Sequence, residues 1–330
     1  MFAAVGRIPR LDSAASSPRR LPYTAKSGLS HMSSVPVPAP WLPQSLAGIS
    51  RSHQCDAAAT VRVAVVLSGG GLRGAGHVGV LQQLVAHDIP IEIIVGSSAG
   101  AIVAAFYAAV GLSFDELVRD AREFRGRHLL AHSLNVRLGY RLNRILERAS
   151  GLIPKRLEQL ERATFDRLHH GVRQIGVVCH DLKSGRPRYF STGCDGGVCV
   201  GDVVRASASI PGLFPSIPVQ CDEERLLLTD GGISDCLPIS FARRPPLSAT
   251  HLIVSDCRWL AIDAPENGED LIYVRPRIFT TGTLWAPSST LLAAVRLGAA
   301  AITEEIVERA RSWRSALAAG HSELSAHPVR

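Results

Sequence analysis

Residues 61–74 read VRVAVVLSGGGLRG, and residues 89–100 read IPIEIIVGSSAG. In both segments a short apolar run, rich in β-branched residues, ends at a glycine. Apolar residues at helical spacing follow, over 75–84 and over 99–109. Each segment therefore predicts a buried strand, a tight glycine turn and a helix. Two such units in succession favour an α/β fold.

The first glycine turn has the features of an anion-binding loop. Glycines allow several backbone N–H groups to point into one concavity at the positive end of a helix, which holds a phosphate or a developing oxyanion. Gly69-x-Gly71-x-x-Gly74 also matches the dinucleotide fingerprint. A dinucleotide site needs an acidic residue at the tip of the second strand, but Glu92 lies inside that strand. The pattern therefore favours an oxyanion loop.

The second turn, Gly96-Ser97-Ser98-Ala99-Gly100, has the pattern of a nucleophile elbow. Its two glycines leave room for the strand and the helix to approach closely, and a serine on such a sharp turn has a free hydroxyl. Ser98, at the centre, is the candidate nucleophile, and Ser97 is predicted to line the turn. The alternative, a buried βα unit with incidental serines, does not account for the two flanking glycines.

A nucleophilic serine needs a base, and the chain offers two kinds. Asp230 ends an apolar strand and precedes Gly231 and Gly232, so its carboxylate is predicted at a strand tip. The histidines that follow it in the chain are His251, His321 and His327. The first opens an apparent strand and the other two lie in a polar tail, so none is convincingly placed. Asp230 is a plausible partner of Ser98.

These three motifs, in this order, resemble those of the bacterial patatin-like phospholipases, which are serine lipid acyl hydrolases with a Ser–Asp dyad and no histidine. The resemblance extends over about 61–256 and includes the blocks DLKSG at 181–185 and RASASIPGLFP at 205–215. It implies a three-layer α/β/α fold with a mostly parallel central sheet and a helical cap. One departure is Cys236, where the family often has an asparagine that supports the turn.

The resemblance also assigns roles to residues. It implies that Ser98 is the nucleophile, that Asp230 is the proton acceptor, and that the reaction passes through an acyl-enzyme which water hydrolyses. It also implies an oxyanion hole formed by backbone N–H groups of Gly70 and Gly71, with Leu72 or Arg73. The motif glycines around these residues are Gly69, Gly74, Gly96, Gly100, Gly231 and Gly232.

No metal and no organic cofactor is expected, and the expected substrate is a phospholipid or related acyl ester. Arg73, beside the oxyanion loop, could either attract a lipid phosphate or pair with a nearby carboxylate. Two other functions are compatible with the chain. A conventional Ser-His-Asp esterase is disfavoured because no histidine is well placed, and an inactive lipid-binding relative is disfavoured because the dyad is intact.

The chain divides into three predicted regions. Residues 1–58 are rich in Ser, Pro, Ala and Arg, carry six basic and two acidic residues, and are expected to form a disordered leader. Residues 59–258 are the expected catalytic domain. Within it, charged segments with helical periodicity at roughly 113–168 predict either a cap that shapes the acyl pocket or a plain helical surface layer. Residues 259–330 form a C-terminal extension with a helix near 288–317.

The net charge of +7 suits peripheral contact with an anionic membrane. Nucleic-acid binding is not expected, because no basic run is interleaved with aromatic residues. Residues 89–112 are long and apolar enough to suggest a membrane span, but their glycines, serines and strand propensity predict buried core instead. Seven cysteines without a C-x-x-C pair predict reduced thiols and a cytoplasmic location.

Overall fold

An eight-stranded sheet forms the centre of the computed structural model, which describes residues 61–137, 148–279, 284 and 288–313. The strands run in the order β5-β6-β3-β2-β1-β7-β8, and β4 pairs with β3. Pairing is parallel from β3 through β2, β1 and β7 to β8, and antiparallel for β4, β5 and β6. The strands are β1 (Val63–Leu67), β2 (Ile93–Ser97), β3 (Gln174–Asp181), β4 (Arg186–Ser191), β5 (Ile217–Cys221), β6 (Glu224–Asp230), β7 (His251–Ser255) and β8 (Leu271–Val274).

Helices follow most of the parallel strands and cover the sheet. Local sequence explains several of their ends. The third helix begins with a capping box between Ser113 and Glu116, and the fifth has proline in its first turn. The helices are α1 (Ala75–Ala86), α2 (Ala99–Ala104), α3 (Phe114–Glu123), α4 (Gly126–Arg137), α5 (Ile153–Glu161), α6 (Val200–Ser207), α7 (Ile239–Arg243) and α8 (Ser288–Ala300), with a further helix over 304–313.

The core lies on both faces of the sheet, and successive residues of β1 divide between the two. Val63, Val65 and Leu67 pack into a large cluster with residues of α1, α2, α6 and α8. Ala64 and Val66 pack into a smaller cluster with residues of α7. Because both faces are buried, the parallel strands are continuous apolar runs. The arrangement confirms the expected α/β/α class with a mostly parallel sheet, and the layer that contains α7 is thin.

The predicted C-terminal extension contributes to the same layers. Its strand β8 pairs with β7, and α8 crosses α1 so closely that side chains would clash. A Cβ on Gly79 would lie 1.9 Å from the Val295 carbonyl oxygen, and a Cβ on Gly298 would lie 1.9 Å from the Gly76 carbonyl oxygen. The sequence predicted one helix near 288–317. The structure has two helices in the described part of this span, α8 and a helix over 304–313, with a turn at 301–303 between them.

The predicted leader, residues 1–58, lies outside the described residues. The predicted cap region contains α3, α4 and α5, with 138–147 outside the described part. Residues 89–112 form β2, α2 and a π-helical turn over Ala105–Ala109. Within the described ranges, every helix is too short or too polar to span a bilayer.

Candidate active site

The turn between β2 and α2 has the geometry of the predicted elbow. Ser98 has φ 51° and ψ −117°, a strained conformation for a residue with a side chain. The strand and helix approach so closely that only glycine fits on either side of it. A Cβ on Gly96 would lie 2.4 Å from the Gly100 carbonyl carbon, and a Cβ on Gly100 would lie 2.3 Å from the Leu67 carbonyl oxygen. This packing pushes the Ser98 side chain out of the turn.

The structure brings Ser98 and Asp230 together, although 132 residues separate them. Ser98 Oγ donates a hydrogen bond of 2.7 Å to Asp230 Oδ2. The other carboxylate oxygen, Oδ1, accepts the Gly232 N–H at 2.8 Å. Ser98 and Asp230 are each less than a tenth exposed. The pair is therefore a serine hydroxyl bonded to a buried carboxylate, which is the arrangement that the sequence suggested.

Burial sets the basicity of this carboxylate. It raises the pKa of Asp230 because a charged oxygen loses water, and the hydrogen bonds from Ser98 and the Gly232 N–H partly oppose the rise. The net shift is upward. A carboxylate with a raised pKa accepts a proton more readily than an ordinary aspartate does, which suits a general base.

The pairing of β6 with the end of β3 determines the position of Asp230. In the antiparallel pairing of β3 with β6, Asp230 lies opposite Cys179. The turn after Asp230 packs directly on β3, since a Cβ on Gly231 would lie 2.2 Å from the Val178 carbonyl oxygen. The Asp230 N–H also donates to the Ser209 carbonyl at 3.2 Å. Its position is thus fixed by the register of two strands and by a contact with the segment after α6.

A serine that sequence reasoning did not single out supports the elbow. The Ser98 N–H donates to Ser207 Oγ at 2.9 Å, and the Ser207 hydroxyl donates to the Val178 carbonyl at 2.6 Å. Ser207 is completely buried at the end of α6. It lies in the block at 205–215 that contributed to the resemblance, so a signal was present, but the residue's contact with Ser98 was not foreseen.

The glycine loop lies against the elbow. A Cβ on Gly74 would lie 2.5 Å from Ala99 Cβ, and a Cβ on Gly69 would lie 3.5 Å from Ser98 Cβ. Gly71 has φ 59°, which favours glycine, and it opens a short 3₁₀ turn that leads into α1. The glycine loop therefore lies beside Ser98. That backbone N–H groups of Gly70 and Gly71, with Leu72 or Arg73, form an oxyanion hole stays a prediction.

Cys236 supports this loop through its backbone. Its carbonyl oxygen accepts the Gly69 N–H at 2.8 Å, and its sulfur occupies the space beside Gly69, where a Cβ would approach it to 2.7 Å. The turn after Asp230 is closed by backbone hydrogen bonds to the Gly231 carbonyl, from Ser234 at 3.2 Å and Asp235 at 3.0 Å. The turn thus forms with cysteine in place of the family's frequent asparagine.

The side chain of Arg73 points to the segment after β7. It is 4% exposed, and its Nε donates to the Cys257 carbonyl at 3.0 Å. Its guanidinium carbon lies 5.3 Å from the centre of the Trp259 ring. Burial lowers its pKa, with nearby acidic and thiol groups opposing the shift. These contacts make Arg73 part of the support of the glycine loop and do not favour a role in attracting lipid phosphate.

A mostly apolar cavity of about 360 Å³ opens beside Ser98. Its wall includes Gly71 and Leu72 of the glycine loop and four ionisable residues, Asp120, His132, Arg156 and Arg205. The predicted cap region supplies much of the apolar wall. The apolar lining residues include Ile102, Val103, Phe106, Leu117, Ala121, Phe124, Leu129, Val136, Leu152, Leu157, Leu160 and Ile217. The helices at 113–168 therefore border the space next to the candidate nucleophile.

A half-buried ion pair joins two of these helices at the cavity wall. Arg156 on α5 donates to both carboxylate oxygens of Asp120 on α3, at 2.7 and 2.8 Å. The two side chains are 10% and 20% exposed. A hydrogen bond from Arg156 to Gln159 at 2.7 Å satisfies a further donor. This two-point contact fixes the relative position of α3 and α5.

Within the described residues, no histidine is hydrogen-bonded to Ser98 or Asp230, and His132 is a histidine of the cavity wall. His251 opens β7 as expected, lies 2.9 Å from Thr250 Oγ1 through Nδ1, and packs on Trp313. His77, which the sequence analysis did not consider, is completely buried in α1 behind the glycine loop. Its ring nitrogens lie 2.8 Å from Ser255 Oγ and 2.9 Å from the Ser68 carbonyl. Burial lowers its pKa to about 4, so its ring is neutral. His321 and His327 lie outside the described residues.

Comparison with known proteins adds a family relationship to this geometry. A model of the patatin-like phospholipases matches residues 65–243. Lysophospholipase nte1 of Aspergillus fumigatus is 32% identical over 188 residues, which cover 54% of this chain and 11% of the relative. An uncharacterised NTE family protein of Mycobacterium tuberculosis is 33% identical over 183 residues, with coverages of 54% and 45%. The chain thus spans less than half the length of these relatives.

Two solved structures are also similar. VipD from Legionella pneumophila has 15% identity and a TM-score of 0.43, and the match covers 77% of this chain and 67% of VipD. The type III effector ExoU has 15% identity and a TM-score of 0.35, with coverages of 81% and 61%.

Proposed function

The chain belongs to the patatin-like phospholipase family, and we propose that it is a serine hydrolase that cleaves carboxylic esters of phospholipids or related lipids. The observation that carries the proposal is the 2.7 Å hydrogen bond from Ser98 to the buried Asp230, at the wall of an apolar cavity. A buried carboxylate next to a strained serine has the parts needed for acyl transfer.

In the first half of the reaction, Asp230 accepts the Ser98 proton while Ser98 Oγ attacks the ester carbonyl carbon. The carbonyl oxygen becomes an oxyanion, which N–H groups of Gly70 and Gly71, with Leu72 or Arg73, stabilise. The tetrahedral intermediate collapses, the C–O bond to the alcohol breaks, and the alcohol leaves with the proton held by Asp230. The acyl group remains as an ester on Ser98.

In the second half, water replaces the alcohol. Asp230 removes a proton from the water as its oxygen attacks the acyl carbon, and the same N–H groups stabilise the new oxyanion. The bond to Ser98 Oγ then breaks, the fatty acid leaves, and Ser98 regains its proton from Asp230. No step uses a histidine, because the carboxylate contacts the serine directly. The raised pKa of Asp230 favours both proton transfers.

The cavity supports a lipid substrate. Ligand pockets range from about 300 to 1,000 Å³, so about 360 Å³ suits a narrow ligand such as one acyl chain. We place the acyl chain between α2 and the helices of the region 113–168, which would then act as the cap. Because fungal relatives are named lysophospholipases, single-chain phospholipids are included among the proposed substrates.

The location and membrane contact of the protein are part of the proposal. A cytoplasmic enzyme with a net charge of +7 would meet anionic lipid head groups at a membrane surface. The leader at 1–58 carries six basic and two acidic residues and would contribute much of this attraction. Salt would weaken it, since the Debye length falls from ~10 Å at 0.1 M to ~3 Å at 1 M.

Covalent labelling tests the proposed nucleophile. A fluorophosphonate probe should label the chain at Ser98 and fail to label Ser98→Ala, while Ser97→Ala keeps most of its labelling. Ser97 is the matched control because it is the neighbouring buried serine of the same turn. Hydrolysis of a short-chain ester should fall by roughly 10⁶ in Ser98→Ala, as in a serine protease that loses its nucleophile. Unchanged hydrolysis in Ser98→Ala would refute the assignment, and an unlabelled wild-type chain would favour an inactive lipid-binding relative.

A further inference from the structure

The loop after β7 presents an apolar tip to solvent. An ion pair closes the loop, with Arg258 Nη1 donating to Asp263 Oδ1 at 2.7 Å. The residues between them, 259–262, are Trp-Leu-Ala-Ile and carry no charge; we call them the apolar tip. Trp259 is 58% exposed, Leu260 65% and Ile262 89%. Single exposed apolar residues are ordinary, but a consecutive run of them marks an interaction surface.

The base of this loop is fixed. Arg258 donates from Nε and Nη2 to the fully buried Asp256, at distances of 2.8 to 3.1 Å. The Tyr273 hydroxyl donates to the same carboxylate at 2.8 Å. Arg275 donates to the Trp259 carbonyl at 3.3 Å. Charged hydrogen bonds therefore hold the start of the apolar tip, and the exposed Asp263 pairs with Arg258 at its end.

The same loop contacts the candidate oxyanion loop. The Cys257 N–H donates to Ser68 Oγ at 2.8 Å, and its carbonyl accepts from Arg73. A Cβ on Gly70 would lie 2.7 Å from that carbonyl oxygen. The Trp259 ring covers the Arg73 guanidinium. The apolar tip therefore begins next to the glycine loop, which borders the candidate active site.

The neighbouring segment adds features that fit a lipid surface. Arg275, Arg277 and Phe279 are exposed, and Phe279 is 76% exposed. Arginines suit the phosphate layer of a bilayer, and tryptophan suits its interface. Acidic residues follow the tip at 263–270, so charge alone does not favour an anionic surface here. The apolar side chains are what distinguishes this surface.

We propose that the apolar tip inserts into the lipid surface that presents the substrate and so holds the cavity at that surface. The proposal rests on the proposed function, since it assigns a lipid partner to the edge of that site. Insertion buries apolar side chains, so this part of binding should persist in high salt, unlike the part due to the leader.

The test measures lipid binding without hydrolysis. The full chain is sedimented with vesicles of ether-linked phosphatidylcholine, which has no carboxylic ester and no net charge, in 1 M salt. Leu260→Ser/Ile262→Ser should lower the partition coefficient by roughly 100-fold, the order expected for two large apolar side chains. It leaves Trp259 in place over Arg73. Fluorophosphonate labelling and short-chain ester hydrolysis should stay unchanged.

Val85→Ser is the matched control. Val85 is an apolar residue that is 40% exposed, and it lies near the end of α1, which leads back to the start of β2. Because β1 and β2 are parallel, α1 runs back to the end of the sheet where β2 starts. Val85 therefore lies at the opposite end of the sheet from Ser98. This variant should bind vesicles as the wild type does.

A second measurement is quenching of tryptophan fluorescence by brominated-chain phosphatidylcholine, which should be weaker in Trp259→Phe.

Equal vesicle binding by the wild type and by Leu260→Ser/Ile262→Ser would overturn the proposal. So would a wild-type dimer in sedimentation equilibrium that the double variant abolishes while vesicle binding stays the same, because the tip would then contact a second copy of the chain. Failure of the proposed function is separately visible. It would appear as an unlabelled wild-type chain, while binding to an ether lipid needs no catalysis.

Discussion

Asp230→Asn separates the chemical role of the carboxylate from its structural role. Asparagine has nearly the same shape, so Oδ1 can still accept the Gly232 N–H that now lies 2.8 Å away. The new amide nitrogen can donate to Ser98 Oγ across the present 2.7 Å contact. The hydrogen-bonded turn is retained, but the group that accepts the Ser98 proton is lost.

The expected loss of activity follows from that change. A positioned general base contributes roughly 10² to 10⁴ in rate, which is about 2.7 to 5.4 kcal/mol of transition-state stabilisation. The mechanism uses Asp230 in both half-reactions, so we expect kcat/KM for a soluble short-chain ester to fall by at least 10³. Fluorophosphonate labelling should slow in parallel, because it needs the same activated Ser98.

Asp230→Asn should lower activity without lowering the stability of the fold. Burial raises the pKa of Asp230 in the folded protein, so the folded state binds this proton more tightly than the unfolded chain does. The stabilising contribution of that proton is complete below the unfolded pKa and is lost as the pH rises through the folded pKa. At neutral pH the ionised carboxylate therefore destabilises the fold, and Asp230→Asn should keep or raise the Tm.

The raised pKa also sets the acid limb of the wild-type profile. Activity needs the ionised carboxylate, so kcat/KM should fall as the pH drops through a value above 3.8, the ordinary pKa of an aspartate. The assay is kcat/KM from pH 4 to 9 for the wild type, Asp230→Asn and His251→Gln. His251→Gln is the control and should keep most of its activity. The reasoning is refuted if Asp230→Asn keeps a tenth of the activity, or if His251→Gln loses as much as Asp230→Asn.

Two further predictions concern the packing around the site. Gly100→Ala would place a Cβ 2.3 Å from the Leu67 carbonyl oxygen, so it should lower the free energy of unfolding by about 1 to 3 kcal/mol in urea titrations and slow labelling. Gly268→Ala, with its nearest contact at 3.7 Å, should change neither quantity, and equal losses in the two variants would contradict the packing argument. Arg156→Met leaves the half-buried Asp120 without its partner and should cost about 1 to 3 kcal/mol. The double variant Asp120→Leu/Arg156→Met should recover much of that loss. If its loss in free energy of unfolding equals the sum of the two single losses, the two residues are not coupled.

Much of the local structure could be predicted from the sequence. The apolar runs at 61–68 and 91–95 correspond to β1 and β2, and the glycine turns lie where the pattern placed them. Details at the ends differ. The second strand extends through Ser97, because Gly96 and Ser97 still pair with Leu67 and Val178. The predicted helix at 99–109 changes to a π-helical turn at Ala105, with the Val110 N–H donating to the Ala105 carbonyl.

The supporting contacts of the site could not be predicted in the same way. Ser207 holds the elbow backbone, His77 connects the ends of β1 and β7 behind the glycine loop, and Cys236 contacts Gly69 through its backbone and its sulfur. The role of each of these residues depends on a partner at least nine positions away, and in most cases more than 100.

The sequence by itself determined the elements and the candidate residues, because backbone preferences of glycine and β-branched residues act over a few neighbouring positions. It also carried the order of motifs that indicates the family. Only the tertiary structure decided that Ser98 contacts Asp230, that α3, α4 and α5 border a cavity beside them, and that Arg73 turns to Trp259. These contacts depend on strand register and on close backbone packing between distant segments, which no short stretch of sequence specifies.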